Sequence, residues 1–177
     1  MKRTIYMMVY LLLVGGSAAM AQMSSAQEVA TPELAAKREA NKKAVIADYM
    51  AVKELLIVSD SVNAAKAATK FIVSLDQFKF KKLNMPEMNA ATILRKEVRA
   101  LAVEISTTVN INAQRKAFSI LSAKMWDIAA RLKPMGIPIY QQVCPMTGAT
   151  WLSLDQEIKN PYYPKNMLTC GETKQRI

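Results

Sequence analysis

Apolar residues recur at spacings of three and four through four successive segments, with polar residues between them, which is the period of amphipathic helices. The first segment opens on Thr31 as N-cap, with Pro32 at the first helical position and Glu33 in the first turn. It places Val45, Tyr49, Val52 and Leu56 on one stripe, predicting a helix that runs to about Val58. Ser59-Asp60-Ser61 supplies a break and the next N-cap, after which Ala65, Ala68, Ile72, Leu75 and Phe78 repeat. Lys79, Lys81 and Lys82 are expected to close that second helix as a basic last turn. Asn84-Met85-Pro86-Glu87 has capping-box spacing and precedes the stripe Ile93/Leu94, Val98, Leu101, Ile105, with an end near Thr107-Thr108. Asn110 or Asn112 then caps a fourth helix carrying Phe118, Leu121, Met125, Ile128/Ala129 and Leu132, and Lys133-Pro134-Met135-Gly136 stops it.

Glycine and proline support this division. No glycine stands between Gly16 and Gly136, and Pro86 is the lone proline between Pro32 and Pro134. Connections of a few residues set neighbouring helices antiparallel, so residues 32–136 predict an all-α, up-down-up-down four-helix bundle. Residues 137–177 then form an irregular strap completing the same domain.

Composition removes whole classes of chemistry. His is 0 and Cys is 2, which excludes histidine general bases, Ser-His-Asp triads and His-bearing zinc sites; two thiols cannot make a Cys-rich zinc ribbon. With no nucleophile and base to pair, a noncatalytic protein is expected. The formal net charge is +10, yet residues 32–133 scatter their 18 basic and 10 acidic groups over the polar faces. No arginine stripe with a recognition helix is present, so no nucleic-acid partner is expected.

The N-terminus reads as an export address. Met1-Lys2-Arg3 precedes an apolar run from Ile5 to Val14 and the small-residue triplet Ala19-Met20-Ala21, the layout of a signal peptide over residues 1–21. The apolar run is too short for a span of about 20 residues, so cleavage near Ala21 leaves a periplasmic or secreted chain with no transmembrane segment. It begins with a flexible stretch, 22–31.

The tail changes character from Pro138 onward. Tyr140, Trp151, Tyr162 and Tyr163 fall there with both cysteines, and helical periodicity stops. A segment so rich in aromatics must lie against something, which makes Trp151, Tyr162 and Tyr163 its expected packing anchors. The sulfur residues leave two principal readings open. Cys144, Met146, Met167 and Cys170 compose a soft donor set suited to Cu(I) or Ag(I). Alternatively, Cys144 and Cys170 form a disulfide that pins the tail, stabilising by ~3 kcal/mol in the chain-entropy model. Redox state can interconvert the two. Met50, Met85, Met88, Met125 and Met135 lack clustered spacing and read as packing residues.

Cys144-Pro145-Met146, Trp151-Leu152-Ser153, an acidic stretch ending in Ile158, Asn160-Pro161-Tyr162-Tyr163 and Met167-Leu168-Thr169-Cys170-Gly171 follow in order. Together they resemble the bacterial domain-of-unknown-function family DUF3347. Ser59–Lys66 and Ala113–Phe118 resemble family positions as well. The family is similar to a segment appended to periplasmic adaptor subunits of copper and silver efflux systems. The resemblance therefore implies an envelope helical bundle, a heavy-metal connection with envelope metal-efflux components as partners, and no catalytic activity. The expectation is an exported protein that binds a soft metal ion; the alternative is an interaction module whose disulfide-pinned tail recognises a protein.

Overall fold

The computed structural model describes residues 31–177; the expected signal peptide and residues 22–30 lie outside the described residues. Four helices come first: α1 (Pro32–Ile57), α2 (Ser61–Gln77), α3 (Met85–Ser106) and α4 (Ile111–Leu132). They make up 59% of the described residues. Their starts follow local chemistry. Thr31 accepts from the Leu34 amide, Asp60 from Asn63 and Asn110 from Asn112 and Ala113, while Asn84 and Glu87 cap each other reciprocally. Each helix packs on the next and α1 closes against α4, so the four enclose one core.

Tyr49 lies at the centre of that core, its ring stacked on Phe118 at 5.1 Å and meeting Phe71 edge-on at 6.2 Å. Phe71 also explains a shift in α2. The buried face runs through Ala64, Ala68, Phe71 and Leu75, leaving Ala65 and Ile72 half-buried, because the largest side chain sets which way the helix turns. In α3 the face holds Ala91, Val98, Leu101, Ala102 and Ile105, and Ile93 is exposed.

The end of α2 corrects an expectation. The helix stops at Gln77, and Phe78 is already extended (ψ 128°), so Lys79, Lys81 and Lys82 do not form its last turn. Phe78 and Phe80 are both buried, with rings T-shaped at 5.2 Å. Residues i and i+2 share a face in an extended chain but not in a helix. Burying both phenylalanines therefore requires the helix to end and turns the alternate lysines outward.

The tail corrects a second expectation, since it is not wholly irregular. β1 (Tyr140–Val143), β2 (Thr150–Ser153) and β3 (Glu172–Arg176) form an antiparallel sheet in the order β2-β1-β3. A bulge lies between Gln141 and Gln142 on the β3 side. The strands hide in the sequence because β1 buries two glutamines and β3 is polar and exposed throughout, so neither shows apolar alternation. Gln142 is accommodated by satisfying both ends of its amide: Oε1 accepts from Trp151 Nε1 at 2.7 Å, and Nε2 donates to the carbonyls of Asp155, Gln156 and Glu157.

β2 rests on α4. The joint between sheet and bundle is the Tyr49 hydroxyl, which accepts from the Leu152 amide at 3.0 Å and bonds Ser122 Oγ at 2.7 Å. Having accepted from an amide, the phenol has its own proton to give to Ser122. Arg115 adds a second tie, donating from α4 to the carbonyls of Leu56 and Pro161 and to Ser59 Oγ.

Tyr49→Phe should cost about 1–3 kcal/mol in urea unfolding, because it strands the buried Leu152 amide. Burial holds the Tyr49 phenol far above its ordinary value despite its bonds to Leu152 and Ser122. Its contribution is therefore complete below pH ~10 and lost as pH rises further. The variant's stability should fall less steeply above that pH than the parent's.

Candidate functional site

β1 runs directly into Cys144, whose amide donates to the Ala149 carbonyl at 2.9 Å. The Cys144 carbonyl in turn accepts from Gly148 at 2.8 Å, closing a tight turn over Cys144-Pro145-Met146-Thr147-Gly148. Gly148 sits at φ +69°, which glycine adopts without the steric cost a Cβ would carry. The turn curls its own donors back onto the Cys144 sulfur. Burial alone would push this thiol up, but the Thr147 hydroxyl, the Met146 and Thr147 amides and the Asn160 side chain outweigh it and hold the thiol below its ordinary value.

Cys170 arrives from the other side of the tail. Its amide donates to the Met167 carbonyl at 3.0 Å, and its carbonyl accepts from Asn160 Nδ2 at 3.1 Å. Burial first, and then the neighbouring Cys144 through its charge and hydrogen bonding, raise the Cys170 thiol above its ordinary value. The two sulfurs are thus a pair of unlike acidity, one buried and one half-buried, both present as free thiols. Such a pair can hold a soft ion between two thiolates or join by oxidation.

The structure brings Cys144 and Cys170 together and leaves the thioethers less engaged. Met146 lends its backbone amide to the Cys144 sulfur while its side chain is 69% exposed. Met167 is half-buried and meets Cys170 through its carbonyl. Among the described residues, no group of three or more His, Cys, Asp or Glu side chains is placed to hold a metal.

The aromatic residues divide in the same way. Trp151 is fully buried, and Tyr162 packs on it edge-on at 5.9 Å while its hydroxyl donates to the Thr150 carbonyl at 2.6 Å. Tyr163 is 44% exposed and stands on the rim of a cleft of about 530 Å³ between α4 and the tail, with Thr147 and Arg115. Gly171, next to Cys170, allows Trp151 its place: a Cβ there would lie 2.8 Å from Ile158 and 2.9 Å from the indole.

Sequence reasoning overlooked two side chains at this site, Asn160 and Thr147. Asn160 enters the sequence reading only as part of the Asn160-Pro161-Tyr162-Tyr163 cluster, with no role of its own, yet it is bonded to its surroundings on several sides. It is fully buried, with its amide donating to Leu168, its Oδ1 accepting from Tyr162 and its Nδ2 reaching Cys170. Nothing local shows that this same side chain also meets Cys144.

The family described as "Protein of unknown function (DUF3347)" matches residues 45–135, from the middle of α1 past the end of α4. The cysteine-bearing tail lies beyond the matched segment. No curated protein and no solved structure matches the chain.

Two outcomes are expected. Trp151→Ala should destabilise by about 3–5 kcal/mol and Tyr163→Ala by less than about 0.5, both read by urea denaturation. Thr147→Val removes a donor from the Cys144 sulfur, so the lower of the two thiol ionisations, followed by thiolate ultraviolet absorbance, should move to higher pH.

Proposed function

We infer that this chain, which belongs to the DUF3347 family of proteins of unknown function, is a noncatalytic protein of the cell envelope that carries a soft ion, Cu(I) or Ag(I), between Cys144 and Cys170. What supports this reading is the nearness of the two thiols, close enough for Cys144 to shift Cys170, with Cys144 itself held toward its thiolate by four neutral donors. Soft d10 ions accept two sulfur ligands in near-linear coordination, whereas harder ions need more donors, and oxygen or nitrogen ones. Met146 stands two residues from Cys144 with its side chain in solvent, free to add a thioether as a third donor. Met167, half-buried three residues before Cys170, is the second candidate thioether. The cargo is thus one ion, presented at the surface through the half-buried Cys170.

Export rests on the Met1–Ala21 segment, and the link to envelope metal-efflux components on the family's similarity to efflux adaptor segments. The described helices include none long and apolar enough to cross a membrane. The second reading, an interaction module pinned by a Cys144–Cys170 disulfide, draws on the same nearness of the two thiols.

Cu(I) competition titration of the reduced protein separates the two. Cys144→Ser and Cys170→Ser should each weaken binding by at least about 100-fold, the upper end of what losing even an outer-shell partner costs. Met146→Leu or Met167→Leu should weaken it less. Equal affinity across parent and cysteine variants would leave the disulfide as the role of the pair.

A further inference from the structure

The cleft of about 530 Å³ between α4 and the tail opens beside the cysteine turn. Its helical wall is one face of α4, where Arg115 and Lys116 stand a turn before Ser119 and Ile120. Ile120 is 46% exposed, and Tyr163 on the tail wall is exposed as well. Met146, the chain neighbour of the cleft residue Thr147, adds a third exposed apolar side chain. Apolar side chains left in solvent around one concavity mark a place where something docks.

Charge in this cleft has one sign. Among the described residues lining it, none is Asp or Glu. Arg115 is fully engaged in the fold, but its acceptors are the Leu56 and Pro161 carbonyls and the Ser59 hydroxyl, all neutral, so these bonds leave its charge uncompensated. Burial alone holds its guanidinium below the ordinary arginine value, with no carboxylate near enough to oppose the shift. Lys116 is exposed, and none of the ion pairs among the described residues includes it. The cleft thus offers one fixed positive charge and one ammonium with three protons to donate. Two cations also decide the kind of anion. Anionic membrane surfaces are recognised by clusters of about four to eight basic residues, and nucleic acid by contacts to many phosphates. A single pair matches one or two carboxylates. The hydroxyls of Ser119 and Thr147 suit the amides and carbonyls of a peptide backbone, and the volume suits a short stretch of one.

We propose that the cleft between α4 and the tail docks a short acidic peptide segment of a partner protein, with a carboxylate at Lys116 and Arg115 and a neighbouring apolar side chain between Ile120 and Tyr163. A partner held there lies against the cysteine turn, because Thr147 belongs both to the cleft wall and to the donors around the Cys144 sulfur. Docking would set the partner beside the half-buried Cys170 and the exposed Met146, where an ion could pass from one protein to the other. That purpose rests on the soft-ion reading of the cysteine pair; the docking itself does not.

The test is a fluorescence anisotropy titration of the reduced, metal-free protein with a labelled peptide of alternating Glu and Leu. Two counterparts carry Gln in place of Glu and Ser in place of Leu. Saturable binding of the first peptide is expected, weakened roughly tenfold by K116E and less than about twofold by K70E, an equal charge change on the exposed face of α2, outside Coulomb range of the cleft. Ile120→Ser, at an exposed position, should weaken it too. Cu(I) affinity should be the same in K116E and the parent, so loss of docking and loss of metal binding are read apart. Equal binding of either counterpart peptide, equal losses in K116E and K70E, or no saturable binding would overturn the proposal. Binding to phosphatidylglycerol vesicles in preference to the peptide would assign the cleft to a membrane surface and overturn it as well.

Discussion

A single buried phenol joins the two halves of this protein. The Tyr49 hydroxyl lies where α1, α4 and β2 meet, accepting from the Leu152 amide and sharing a hydrogen bond with Ser122. Its ring meanwhile packs against Phe71 and Phe118 inside the bundle. The apolar ring and the polar tip thus serve different layers, which lets one residue belong to both the helical core and the sheet. The position of β2 on α4 fixes that of β1, and the position of β1 fixes the turn that begins at Cys144. The geometry at the sulfurs is therefore an indirect product of packing around Tyr49.

The cysteine pair and the α2–α3 connection are built on different principles. At the cysteines, neutral donors from a short turn and one buried asparagine stabilise charge on a sulfur, with no basic side chain among the groups shifting its acidity. At the connection, charge is concentrated by placing cations on a loop that two phenylalanines hold in place. The first arrangement suits a soft ion brought against preset ligands.

Much of the bundle was legible because its signals are local. Thr31, Asp60, Asn84 with Glu87, and Asn110 each bond an amide two or three residues away, so the caps can be read from spacing alone. The end of α2 was not legible, since Lys79, Lys81 and Lys82 fit a helix terminus electrostatically and only the burial of Phe80 decides otherwise. The strands were hidden by Gln141 and Gln142: Gln142 enters the interior through contacts 9 to 15 residues away in the chain, and Gln141 is buried beside the bulge with its side-chain oxygen unpartnered. At the site itself the two cysteines were evident as a pair. The roles of Thr147 and Asn160 were not, because both depend on how the tail folds back across β1.

The Tyr49–Leu152 bond spans 103 residues, and this separation bears on the order of events as the chain emerges. All four helices can be synthesised and begin to associate while the phenol at their centre still lacks the amide that β2 will bring. Until residue 152 is available, the interior carries a polar group awaiting its partner and the face of α4 beneath β2 stays uncovered. A chain delivered N-terminus first would pass through this half-sealed state on every round of synthesis. Shortening the tail would hold it there, with an exposed apolar surface ready to meet its neighbours.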